Sequence, residues 1–132
     1  MRIVGAFFAE SVRTAEGKLD VWGGVLDTVE LHSPVPVVHL VVLLQRGPDD
    51  LGSPTLIHVA VTGPSGEPTA VLYGKEEVSE FDFSVQPMSL PNRENNYISG
   101  PFLARFGSEG RYAFTLSVGE QEPLAIALHV EG

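Results

Sequence analysis

The sequence predicts an all-β domain, an antiparallel two-sheet β-sandwich of about seven to nine strands with an immunoglobulin-like topology. Segments 112–118 and 124–130 alternate large apolar residues with small or polar ones, which is the period of a half-buried strand. A short polar turn joins them into a terminal hairpin. In addition, 14 glycines and 10 prolines interrupt the chain throughout, and no window shows the 3.6-residue period of a helix.

The other strands follow from the same alternation and from the turn residues between them. We predict strands over residues 3–9, 19–31, 36–45, 55–62, 69–76, 79–86, 101–106, 112–118 and 124–130. Gly17 and the Gly63–Gly66 turn supply glycines for positive-φ positions. Gly23 and Gly24 predict a bulge or bend where the second strand passes between sheets, and Trp22 beside them is predicted to be a core anchor.

Strand parity also predicts one shared core. Its inward rows are Ile57, Val59, Val61, Phe81, Phe83, Val85, Phe102, Ala104, Phe106, Tyr112, Phe114, Leu116, Ile126 and Leu128. The step from Gly110 to Tyr112 is typical of a tyrosine corner, in which the hydroxyl bonds back to the preceding loop.

Composition limits the kind of protein. The 132 residues suit a single domain over 1–132, and their 43% hydrophobic content indicates a folding chain. A net charge of -9 argues against nucleic acid and anionic membrane surfaces as partners. The absence of cysteine excludes disulfides and thiolate chemistry and suits a cytoplasmic location. The apolar start closes at Glu10, so we interpret it as a first strand and not as a signal peptide.

Two surfaces are candidates for protein contacts. The segment from Val37 to Leu44 is apolar on both faces, so a loop of the chain or another subunit is expected to cover its outer side. The outer face of the terminal hairpin is small and uncharged. The candidate interface residues are His39, Val41, Ala113, Thr115, Ala125, Ala127 and His129.

The longest polar connection, residues 86–97, is the candidate ligand site, because loops on rigid sandwiches commonly carry binding functions. Its side chains suited to hydrogen bonding and stacking on a sugar or peptide are Asn92, Arg93, Asn95, Asn96 and Tyr97.

No catalytic motif is present: there is no nucleophile elbow, no phosphate-binding loop and no zinc-protease signature. The four histidines, His32, His39, His58 and His129, are not spaced to project together from one strand. Glu80 and Asp82 share one strand face that is expected to lie in water. We therefore predict no catalytic residue, no metal site and no cofactor.

Several turn and core motifs resemble a family of small bacterial proteins of unknown function. They lie at residues 9–12, 16–24, 34–36, 38–40 and 110–114, and the resemblance spans nearly the whole chain. It implies a single β-sandwich domain in the cytoplasm and carries no activity.

Three functional hypotheses follow. The leading one is a non-enzymatic module that acts through protein contacts, with itself as a homodimer or with a partner. The second is a small-ligand or carbohydrate-binding module that uses the 86–97 loop, and the third is a metal-dependent enzyme.

Overall fold

The chain folds into two five-stranded sheets and a separate two-stranded hairpin. The computed structural model describes residues 1–34, 36–47 and 54–132, with the backbone alone at Met88. The strands are β1 Arg2–Ala9, β2 Ser11–Ala15, β3 Lys18–Trp22, β4 Thr28–Glu30, β5 Val37–Gln45, β6 Thr55–Thr62, β7 Val71–Tyr73, β8 Glu76–Val78, β9 Glu80–Val85, β10 Asn95–Leu103, β11 Gly110–Val118 and β12 Leu124–Glu131. The all-β class is confirmed, but these twelve strands among the described residues exceed the seven to nine expected.

The first sheet has the order β1-β5-β10-β7-β8, and the second has the order β4-β12-β11-β6-β9. Strands β2 and β3 pair only with each other. The described strand pairs are antiparallel except for β4, which runs parallel to β12. The first sheet therefore begins with β1 at its edge, and the second begins with the short β4.

The two sheets share one core, as the strand parity predicts. Phe8 of the first sheet packs edge-on against Phe114 of the second, with ring centroids 4.9 Å apart. Phe102 of β10 lies against both rings. Phe8 and Phe114 are at most 1% exposed, so each contributes about 2–3 kcal/mol through burial alone.

The tyrosine corner is also present. The Tyr112 hydroxyl donates to the Ser108 carbonyl oxygen at 2.7 Å, and its ring stacks on Phe106. This bond satisfies a carbonyl in the loop just before β11 and fixes where the terminal hairpin starts. The terminal hairpin itself is confirmed, with Gly119 at φ 48° in its turn.

Three sequence predictions about single elements were wrong. The predicted strand 19–31 is two strands, β3 and β4, because the chain leaves the extended conformation at Gly23, where φ is 62°. Trp22 at this break is 63% exposed and is not a core anchor. Residues 95–97 belong to β10 and not to the preceding loop.

Candidate functional site

The outer face of the second sheet carries a continuous patch of small side chains, which we call the small-residue face. In β11, Ala113 lies between Ala127 of β12 and Thr62 of β6, and Thr115 lies between Ala125 and Ala60. Their strand neighbours Phe114, Leu116 and Val61 point into the core, so parity turns these six residues outward. The small-residue face consists of Ala60, Thr62, Ala113, Thr115, Ala125 and Ala127.

The small-residue face extends one row further, to a cluster of charged groups at the β9 edge. Ser117, His58 and Asp82 are register partners across β11, β6 and β9. His58 Nδ1 lies 2.8 Å from Asp82 Oδ1, and its Nε2 lies 3.4 Å from Glu80 Oε1. The hydrogen bond to Asp82, with a smaller contribution from Glu80, raises the pKa of His58 above its ordinary value of 6.5 against the opposing effect of burial.

The opposite corner of the small-residue face carries an arginine. Arg111 pairs in register with His129, one row beyond Ala113 and Ala127. Arg111 and Ser117 are six residues apart on β11, so this corner lies about 20 Å along the strand from the acidic row. The face thus has an uncharged centre, one acidic corner and, diagonally across it, Arg111, with Glu131 and Glu30 one row further out.

Sequence reasoning did not identify the Ser117–His58–Asp82 row. The three residues come from separate strands, and only the register of β6 with both neighbours brings them together. In an activated serine, the histidine Nε2 would accept the serine proton. Here that atom faces Glu80, and the His58 side chain is 43% exposed on an open sheet face. This arrangement does not activate Ser117 as a nucleophile.

The outer face of the first sheet is covered by the β2–β3 hairpin. The Thr14 and Tyr97 hydroxyls form a hydrogen bond of 2.5 Å, and Arg93 Nη2 donates to the Gly17 carbonyl oxygen at 2.8 Å. Both bonds tie the hairpin to β10 and to the loop before it. Val41 beneath is 0% exposed, so it is not accessible to a partner in this structure.

The outer sides of β5 and β1 are also covered elsewhere by the chain itself. His39 is half-buried between Ala9 and Pro101. A Cβ atom at Gly24 would lie 3.5 Å from Phe7 Cε2, so the chain after β3 packs closely on the outer side of β1. The sequence left two covers open for the outer side of β5, a loop of the chain or another subunit. The structure shows a segment of the same chain over Val41.

The candidate ligand residues are mostly engaged within the chain. Arg93 and Tyr97 hold the hairpin, and Asn96, only 5% exposed, donates from Nδ2 to the Arg93 carbonyl oxygen at 2.8 Å. Asn92 in the loop and Asn95 at the start of β10 are exposed. The structure therefore does not gather these five side chains on one open surface, and ligand binding at the 86–97 loop stays a prediction.

Among the described residues, no group of three or more His, Asp and Glu side chains is arranged to hold a metal ion. None of the described segments forms a helix with the length and hydropathy required to cross a membrane.

Comparison with known proteins identifies the family. The model of DUF6941, a family of unknown function, matches residues 5–131, so the chain belongs to this family. No curated protein matches the chain. The resemblance to an uncharacterised family is therefore confirmed.

Proposed function

We propose that this member of the DUF6941 family is a non-enzymatic interaction module that associates with a second copy of itself through the small-residue face. One observation carries the proposal: the face has an uncharged centre between an acidic corner and Arg111. Charged side chains commonly occupy the solvent-exposed face of a sheet. Six adjacent outward positions without a charge are what a sheet needs in order to pack against another sheet.

The chemistry of the face suits a dry but modest contact. Alanine and threonine methyl groups let two sheets approach closely, and the short side chains lose little conformational entropy when they are ordered. The small-residue face spans two rows on three strands, about 7 Å along the strands and about 10 Å across them, and the charged corners extend it to about 20 Å. This is small beside a standard interface of about 800 Å² per partner, so we expect a reversible dimer that dissociates on dilution.

The corner charges favour a second copy as the occupant. A two-fold axis that lies in the plane of the face, perpendicular to the diagonal joining Arg111 to the acidic corner, places Arg111 of one copy on the acidic corner of the other. Arg111 would then meet Glu80 and Asp82 of the second copy, twice per dimer. Such complementary charges set the orientation of the contact more than its strength.

We propose an immunoglobulin-like topology, supported by the parallel pairing of β4 with the last strand and by the Tyr112 corner at the start of β11. We also propose a cytoplasmic location, which the absence of cysteine supports.

The test is the molar mass in solution across a hundredfold dilution series, measured by light scattering on a sizing column. We expect the wild-type protein to be a dimer at high concentration and Ala127→Glu to be a monomer with unchanged far-ultraviolet circular dichroism. Ala15→Glu, at an exposed alanine of β2, is the matched control and should dimerise as the wild type does.

A charge exchange distinguishes self-association from other uses of the face. Arg111→Glu should weaken the dimer by roughly tenfold or more, and the double variant Arg111→Glu, Glu80→Arg should recover most of the loss. A wild-type protein that is monomeric at every concentration, or an Ala127→Glu variant that still dimerises, contradicts the proposal.

A further inference from the structure

A cleft of about 520 Å³ opens between β4 and the start of β5. Leu26 and Val29 contribute from the β4 side, Val38 from the β5 side, and Ala104 lies in its wall after β10. Its volume falls within the range of about 300–1,000 Å³ that is typical of ligand sites. It forms because Leu26 bridges to Phe8 and so holds β4 beside the first sheet.

The charge of this cleft has one sign. Glu10 and Glu30 are the charged side chains among the described residues that line it. Neither forms a salt bridge within the described part of the chain. With an apolar floor between them, the two carboxylates provide an environment that favours a cationic group with an apolar stem, as in arginine or lysine.

Large apolar side chains are exposed on a residue that lines the cleft and on residues next to its lining. Three of the five large hydrophobic residues that are exposed in the described chain are Trp22, Val25 and Val37, at 63%, 75% and 38%. Val37 lines the cleft, Val25 adjoins Leu26, and the Glu10 amide donates to the Trp22 carbonyl oxygen at 3.1 Å. Exposed aromatic and aliphatic groups beside an apolar cleft indicate a protein-binding surface.

The cleft is also bordered by a sheet edge. Strand β4 is the outermost strand of the second sheet and contributes Thr28, Val29 and Glu30 to the lining. An extended peptide can add to such an edge through main-chain hydrogen bonds, while alternate side chains enter the adjoining cleft. A three-residue edge spans about 10 Å, which accommodates three or four residues of a partner.

We propose that this acidic cleft binds an extended peptide segment in which arginine or lysine alternates with apolar residues. The basic side chain enters between Glu10 and Glu30, the apolar side chains pack on Trp22 and Val37, and the peptide backbone runs along β4. The site shares no residue with the small-residue face, so it stands or fails independently of self-association.

The chain provides its own reporter, because Trp22 is its only tryptophan. The probe is a capped pentapeptide of alternating valine and arginine, titrated against the full chain while Trp22 emission is recorded. We expect a saturable change in emission that weakens as salt is added. A capped pentapeptide of alternating valine and glutamate should produce none.

Variants then locate the site. Glu10→Gln and Glu30→Gln should each raise the dissociation constant by roughly five- to tenfold, since each removes one charge-assisted bond. Glu120→Gln, in the exposed turn after β11, is the matched control and should bind as the wild type does. Methylation of the backbone nitrogens that face β4 should weaken the peptide further.

Backbone amide shifts of Thr28–Glu30 on peptide addition provide a second readout that does not depend on fluorescence. A basic peptide that changes neither Trp22 emission nor these amides overturns the proposal. Equal binding of the acidic peptide, or unchanged affinity in Glu10→Gln and Glu30→Gln, overturns it as well. Binding that persists in Ala127→Glu is the expected result and shows that the two surfaces are independent.

Discussion

The outer faces of the two sheets differ in whether the chain itself covers them. On the first sheet, Val41 and Leu43 of β5 point away from the core, and the β2–β3 hairpin lies over this side. On the second sheet, Ala113 and Ala127 point outward and stay partly exposed. Both faces are uncharged at the centre, yet only one is covered by the chain.

Side-chain size accounts for the difference. An exposed valine or leucine forgoes about 1.5–3 kcal/mol that burial would provide. A row of such residues therefore makes it favourable to order a covering hairpin, despite the entropy this costs. Alanine and threonine expose little apolar surface each, so the second face is stable when open and remains available for reversible contact. The outer face of the first sheet is thus part of the packed interior, whereas that of the second stays partly exposed.

The largest expected effect comes from placing the same charge on each face. Val41→Asp buries an unpaired carboxylate beneath the hairpin and should lower the free energy of unfolding by roughly 4 kcal/mol. Ala113→Asp places the carboxylate at a half-exposed position and should cost about 1 kcal/mol or less. Urea denaturation followed by circular dichroism measures both.

The matched pair decides whether the two faces differ as described. Val41→Asn introduces a side chain with the shape of aspartate but without its charge. It should therefore lose less stability than Val41→Asp. Similar losses for Val41→Asp and Ala113→Asp would mean that the hairpin does not exclude water from β5.

A smaller, local effect is expected when the covering hairpin is loosened. Tyr97→Phe removes the hydrogen bond to Thr14, whose net contribution is about 1 kcal/mol. Backbone amides of β2 and β3 should then exchange with solvent roughly five times faster, while amides of β11 are unchanged. Hydrogen exchange followed by mass spectrometry of peptide fragments measures this.

Tyr73→Phe is the control, because Tyr73 stacks on Phe81 at the far side of the first sheet. It should leave exchange in β2 and β3 as in the wild type. Uniform acceleration across all strands in Tyr97→Phe would show that the hairpin opens only with the whole domain.

The small-residue face was largely predictable from the sequence, because the alternation of residues that defines it lies within single strands. Alternation in β11 and β12 assigns Ala113, Thr115, Ala125 and Ala127 to one side without any knowledge of other strands. The short turn then sets these residues opposite one another. The same reasoning identified the tyrosine corner, since a glycine, a loop and a following strand are adjacent in sequence.

The covered face and the cleft were not predictable in the same way. The apolar run in β5 indicated that something covers Val41, but the covering hairpin is tied down by Tyr97 and Arg93, which lie about eighty residues away. Tryptophan is typical of a core, but Trp22 is exposed where β3 ends, and its carbonyl oxygen accepts from the amide of Glu10, which lines the cleft. The cleft itself is lined from the β4, β5 and β10 segments, whose proximity depends on sheet order.

The smallest expected effect concerns the acidic corner of the open face. Because the hydrogen bond to Asp82 raises the pKa of His58 when the chain folds, protonated His58 stabilises the native state. This contribution is fully present below the ordinary pKa of 6.5 and is lost as pH rises through the higher pKa of the folded state. His58→Gln should therefore be less stable than the wild type at pH 6 and closely similar at pH 9.

The His58 side chain is 43% exposed, so solvent screening limits the difference to at most about 1 kcal/mol. Thermal unfolding of both proteins across this pH range measures it, and Asp82→Asn should abolish most of the same pH dependence. A difference that is as large at pH 9 as at pH 6 would mean that His58 acts through packing and not through its charge. The strands alone would then position Asp82 and Glu80.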